Sequence, residues 1–159
     1  MKVTRQVALG LFIVSGLYVG VWAYFAPQHW HETFPGFGRS WLPQLGPYNQ
    51  HLAKDTGAMY LALAVLSVIA LRYVRSNPMV QTTGAAWLTF NILHLVYHVQ
   101  HLHVYDTIDQ ILNVVLLSAQ TIIAAALLVP LTHAPRPAEF RSRPARAPGR
   151  TDGTTTTRT

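Results

Sequence analysis

Residues 7–26 read VALGLFIVSGLYVGVWAYFA, an uncharged apolar run. A helix needs about 20 such residues to cross a hydrocarbon core about 30 Å thick. Three further stretches have comparable length. They are residues 53–74 (AKDTGAMYLALAVLSVIALRYV), 82–103 (TTGAAWLTFNILHLVYHVQHLH) and 107–131 (TIDQILNVVLLSAQTIIAAALLVPL). Together they predict an all-α fold, a four-helix transmembrane bundle over residues 1–132. The third stretch is the least apolar, since it carries Asn91, His94, His98, Gln100, His101 and His103. Its length, and the even number of spans it completes, favour counting it. The first stretch is too long for the apolar core of a cleaved signal peptide, and no small-residue cleavage site follows it. Trp22, Tyr24, Phe25 and Trp30 crowd its end instead, as an interfacial aromatic belt does.

Composition agrees. Half of the 159 residues are hydrophobic and 11% are charged, against about 25% charged in soluble domains. Mean hydropathy is positive despite a polar ending. That excludes a disordered chain and disfavours a soluble domain. The chain has no cysteine, which removes disulfides, thiolate metal sites, iron–sulfur clusters and cysteine nucleophiles. Residues 133–159 are rich in Pro, Arg and Thr and have little to bury, so a disordered cytoplasmic tail is expected there.

Cations set the expected orientation. Of the 12 Lys and Arg residues, only Arg39 and Lys54 lie on the side opposite the termini and the second connection. The expectation is a multi-pass protein of the cytoplasmic membrane with both termini cytoplasmic. The net charge of +6 then follows from topology and the lipid bilayer as partner. No basic stripe with interleaved aromatics points to nucleic acid. Gly16 and Gly20 have small-xxx-small spacing, a candidate homo-oligomer contact through the first helix.

Histidines and carboxylates sort the opposite way. His29, His31, His51, His94, His98, His101 and His103 all fall in the outer half, with Glu32, Asp55, Asp106 and Asp109. The connection 27–50 holds four prolines with Trp30, Phe34, Phe37 and Trp41. It is too apolar for a solvated linker, so a compact cap is expected, lying at headgroup level or over the bundle mouth. Asn91, His94, His98 and His101 are spaced by three, four and three, one continuous stripe on a helix. At 1.5 Å per residue, His98 lies about 7 Å and His94 about 13 Å below the outer end. Polar groups at such depth face a bundle interior and have partners. His51 and Asp55 share a face of the second helix, as do Asp106, Asp109 and Asn113 of the fourth.

This pattern supports several chemistries. A transition metal (Zn, Fe, Cu or Mn) would be held by His94, His98 and His101, with His51, Asp55 and Asp109 as ligands or supports. Asn49, Asn91, Asp106 and Asn113 would orient those ligands. Axial histidines on separate helices would instead hold haem b, with Gly57 and Gly84 leaving room. Acid–base chemistry on a lipid-like substrate is a further reading, with Asp55 or Asp109 and His98 as proton carriers. The plainest is a structural hydrogen-bond network between helices. No Walker loop, dinucleotide fingerprint, nucleophile elbow or HExxH motif is present. Apart from Arg72 near the end of the second stretch, the inner half of each span carries no charge, which disfavours a channel lined through the membrane.

Residues 34–58, FPGFGRSWLPQLGPYNQHLAKDTGA, resemble a group of small four-helix membrane proteins common in high-GC actinobacteria. The likeness extends over about residues 5–131. It rests on Phe34, Pro35, Gly36, Trp41, Pro47, Tyr48, Asn49, His51, Asp55 and Gly57, with HLVYHVQHL at 94–102. It implies a topology and no chemistry. In size and helix count the chain also looks like the DoxX-like membrane proteins, in architecture only.

Overall fold

A computed structural model describes residues 2–131, and these are mostly helical. The tail expected to be disordered lies outside the described residues. Four long helices carry the fold: α1 (Lys2–Phe25), α4 (Gln50–Arg72), α5 (Asn77–Gln100) and α6 (Thr107–Ala126). Between α1 and α4 lie α2 (Pro27–Thr33), a hairpin of β1 (Pro35–Gly36) and β2 (Arg39–Ser40), and α3 (Leu42–Leu45). α1, α4 and α6 are long and apolar enough to cross a membrane. α5 falls short on composition, because its polar stripe dilutes its apolar residues.

Local chemistry sets the helix ends. Asn49 accepts a hydrogen bond from the Leu52 amide and starts α4 (3.1 Å). Asp106 does the same for α6 through the Asp109 amide (2.8 Å). These caps satisfy amides that the first helical turn leaves free. Pro78 stands in the first turn of α5, where its missing N–H costs nothing. A 3₁₀ turn over Leu102–Val104 links α5 to α6.

The helices pack as two antiparallel pairs. α1 lies along α4 and α5 along α6, while α4 and α5 join the pairs more loosely. The first pair is close because its contacts are glycines. A methyl group added at Gly16 would meet the Ala64 side chain at 2.9 Å, and one at Gly57 the Tyr24 backbone nitrogen at 2.6 Å. Gly20 faces Leu61 and the Gly57 carbonyl. The expected oligomer contact through Gly16 and Gly20 is therefore taken up inside the chain by α4. Gly84 performs the same service between α5 and α6, beside Leu127 and Ala124. The room expected for haem at Gly57 and Gly84 is filled by these neighbouring helices.

Large apolar side chains such as Val14, Leu93 and Ile122 point outward, while Arg5, Ser67, Thr83, Asn91, His98 and Asn113 are buried. At mid-bundle the Trp87 ring stacks on Phe12 with centroids 4.4 Å apart. Its indole N–H donates to the Ser67 hydroxyl at 2.8 Å. At the end holding the termini, Arg5 donates to the carbonyls of Val74 (3.4 Å) and Val129 (2.7 Å), just past the ends of α4 and α6.

Candidate functional site

At the opposite end, residues 26–49 fold back onto the bundle as a cap, with α2 and α3 over its mouth and the hairpin against α1. Trp41 donates its amide to the Phe34 carbonyl (2.7 Å), and the Ser40 hydroxyl donates to the Glu32 carbonyl (2.6 Å). Trp30 and Trp41 are buried, and Phe34 lies between them with ring centroids 5.8 and 6.1 Å away. The expected aromatic cap is thus present over the bundle, with one exception. Phe37, grouped with the others on composition, is 98% exposed. Arg39 forms an ion pair with Asp109 and ties the hairpin to α6.

Beneath the cap, between α4 and α5, is a cavity of about 450 Å³. Ligand pockets commonly span 300–1,000 Å³. Val19 of α1 and Ala53, Thr56 and Tyr60 of α4 form one side, and His94, Tyr97 and His98 of α5 another. Trp30, His31, Phe34, Trp41, Leu42 and Leu45 close it from above, and Asn49 stands at its rim. No Asp, Glu, Lys or Arg is among the described lining residues. His94 and His98 lie side by side with ring centroids 4.6 Å apart, and His94 stacks on Phe90 at 5.1 Å. Among the described residues, Trp30 Nε1, Trp41 Nε1 and His98 Nδ1 are buried with no hydrogen-bond partner within 3.5 Å, His98 having the Asn113 side chain beside it. The Tyr105 hydroxyl, also buried and unpartnered, lies beyond Trp41. Its pKa is pushed up by burial, then by the neighbouring Tyr97 and Asp109, which keeps it a neutral hydroxyl.

The residues expected to form the site separate into two sets. His94 and His98 meet at the cavity, with Asn91 buried one turn below. Asn113 is buried on α6 beside His98 and donates to the Asp109 carbonyl (3.0 Å). The others are dispersed. His51 and Asp55 pair with each other (3.2 Å) on an exposed face of α4. His101 stacks on Tyr97 and donates Nδ1 to its carbonyl (2.7 Å), outside the cavity lining. Asp106 is engaged as a cap, and Asp109 with Arg39. Among the described residues no group of three or more His, Cys, Asp or Glu is gathered to hold a metal ion. Asp55 is satisfied by His51 one turn away, Asp106 by the helix end it caps and Asp109 by Arg39, so none of these carboxylates is bonded to His94 or His98.

The cavity walls Tyr60, Tyr97 and His31 were absent from the expected site. Tyr60 follows Ala53 and Thr56 by helical spacing, a signal that was available. His31 was visible only as a loop histidine, and its Nε2 donates to the Gly46 carbonyl (3.2 Å). Comparison with protein-family models, curated proteins and solved structures finds no match to this chain.

Proposed function

We propose that the chain is a four-span integral protein of the cytoplasmic membrane whose capped cavity binds an uncharged molecule with an apolar body and a carbonyl-type acceptor. The termini lie on the cytoplasmic side and the cap faces out. α5 serves as the fourth span: its 24 residues reach about 36 Å, and Asn91 and His98 turn inward, as polar groups in membranes do.

The observation that carries the reading is the cavity itself: aromatic and aliphatic walls, no charged side chain among the described lining residues, and three wall residues with buried nitrogens lacking partners. Two of those nitrogens are indole N–H groups, which only donate. An unmet buried donor costs about 1–3 kcal/mol. A ligand acceptor, met by a small rotation of Trp30 or Trp41, offsets that cost. A charged ligand would find no counter-ion.

A second reading is favoured by one observation. The adjacent His94 and His98 rings, with His98 Nδ1 free of a partner, offer two imidazoles to a transition metal or to haem b. The dispersal of His51, His101, Asp55 and Asp109 leaves that pair without the further protein ligands it needs.

The test is a titration of detergent-solubilised protein with a 2-alkyl-1,4-naphthoquinone, an uncharged ring with two carbonyls and an apolar tail. Quenching of tryptophan emission, to which Trp30 and Trp41 at the cavity contribute among the four tryptophans, is the readout. Saturable quenching, weakened about tenfold or more by His98→Leu (a loss of about 1.4 kcal/mol) and not competed by the matching fatty acid, supports the proposal. Parallel titrations with Zn²⁺ and with haemin address the second reading. Stoichiometric binding of either one, lost on His94→Ala, would replace the proposal. No binding in any arm would leave the histidines as packing groups.

A further inference from the structure

We propose that the β1–β2 hairpin is a membrane-inserted element, with the Phe37 ring among the upper acyl chains of the leaflet on the cap side. The inference needs the helices to span a bilayer, and it is independent of what the cavity binds.

The first observation is the hairpin tip. Phe37 and Gly38 form a two-residue turn with φ of 56° and 75°. Positive φ at both positions suits Asn-Gly or Gly-Gly and disfavours a bulky side chain. A phenyl ring sits there nonetheless, 98% exposed, while Trp30 and Trp41 of the same cap are buried. The local backbone gives no reason for this residue type, and no packing contact does either.

The second observation is where the tip lies. The hairpin does not rise above the bundle. Tyr18 donates its hydroxyl to the Pro35 carbonyl at 3.0 Å. A methyl group at Gly36 would lie 3.4 Å from that hydroxyl and 3.8 Å from the Trp22 ring. The hairpin therefore rests against the side of α1. Depth follows from a charge marker: the Lys54 ammonium sits 5.5 Å from the Tyr24 ring centre, and an ammonium stays near the headgroups. Tyr18 is six residues earlier on the same helix, its Cα about 9 Å nearer the bilayer centre, and Asp109 stands in the first turn of α6, so the hairpin sits between these two levels with its α1 side below the headgroups. Val14, Leu17 and Val21 on the same stretch of α1 are exposed and apolar, so the surface beside the hairpin is one that acyl chains cover. The one charge in the hairpin, Arg39, is paired with Asp109, which makes this depth tolerable. The strap also spans from α1 to α6, two helices that do not pack along their lengths.

The chain has no cysteine, so single-cysteine variants carry one label each. Phe37→Cys, Val14→Cys and Gln44→Cys are labelled with nitrobenzoxadiazole in phosphatidylcholine vesicles. Each is quenched in turn by a nitroxide on the upper acyl chain and by aqueous iodide. Val14 reports the lipid-facing side of α1, and Gln44 the exposed α3 of the cap. Blue-shifted emission from Phe37→Cys, quenched by the nitroxide and shielded from iodide relative to Gln44→Cys, is the expected result. If Phe37→Cys is quenched by iodide as readily as Gln44→Cys while Val14→Cys stays shielded, the hairpin lies in water and the proposal is wrong. If Val14→Cys is itself open to iodide, the spanning helices fail and the hairpin assignment fails with them.

Discussion

Among the described residues, Asn91 is the side chain with the largest unmet demand. It is 1% exposed, and neither its amide nitrogen nor its oxygen has a partner. Leucine fills nearly the same space without a polar group. Asn91→Leu is therefore expected to stabilise the fold by up to about 1–3 kcal/mol of relieved desolvation, read as a higher melting temperature in detergent, and to leave naphthoquinone binding unchanged, because Asn91 does not line the cavity. A fall in melting temperature would mean that water or another group satisfies the amide. The helical stripe of Asn91, His94 and His98 was legible from spacing alone. His101 was not, because the periodicity holds only while the helix lasts. α5 ends at Gln100, and His101 leaves it with φ of −113°. His51 and Asp55 misled for another reason: two groups four apart on a helix are as well placed to pair with each other as to share a third partner.

Among the elements, the hairpin and α6 depend on the Arg39–Asp109 pair. The Asp109 side chain is 13% exposed and that of Arg39 31%. Arg39→Gln leaves a largely buried carboxylate with no counter-ion, a stronger defect than losing an exposed pair. Faster amide hydrogen exchange over residues 35–41 is expected, and Arg39→Gln with Asp109→Asn should recover part of the protection. Equal exchange in the single variant and the parent would show that the aromatic contacts of Trp41 hold the hairpin unaided. α1, α4 and α6 were legible because apolar runs of that length have few other uses, and α5 by its length despite its polar stripe. Their ends shifted by a few residues: α1 extends back to Lys2 and α5 to Asn77. The hairpin was not legible, since strands of two residues carry no periodicity. The glycines were read as a surface for another copy. The sequence carries the close approach, while which helix approaches is decided by tertiary packing.

For the whole molecule, Arg5 closes what the hairpin closes at the other end. The residue is 4% exposed, and its guanidinium bridges carbonyls just past α4 and α6, where helix dipoles are negative. Arg5→Met should lower stability by about 1.5–3 kcal/mol, as expected for hydrogen bonds from a charged donor, measured as a lower melting temperature with tryptophan fluorescence unchanged before melting. An unchanged melting temperature would remove Arg5 from the account of how the two helix pairs stay together. The molecule is otherwise organised around a cavity at one end, and the proposed function requires that cavity to be occupied. Native mass spectrometry of protein extracted from its own membrane reports the occupancy. A single uncharged adduct per chain is predicted, retained in the surface variant Leu93→Phe and lost in Thr56→Phe, which fills the cavity. An adduct that survives Thr56→Phe, or none at all in the parent protein, would contradict it.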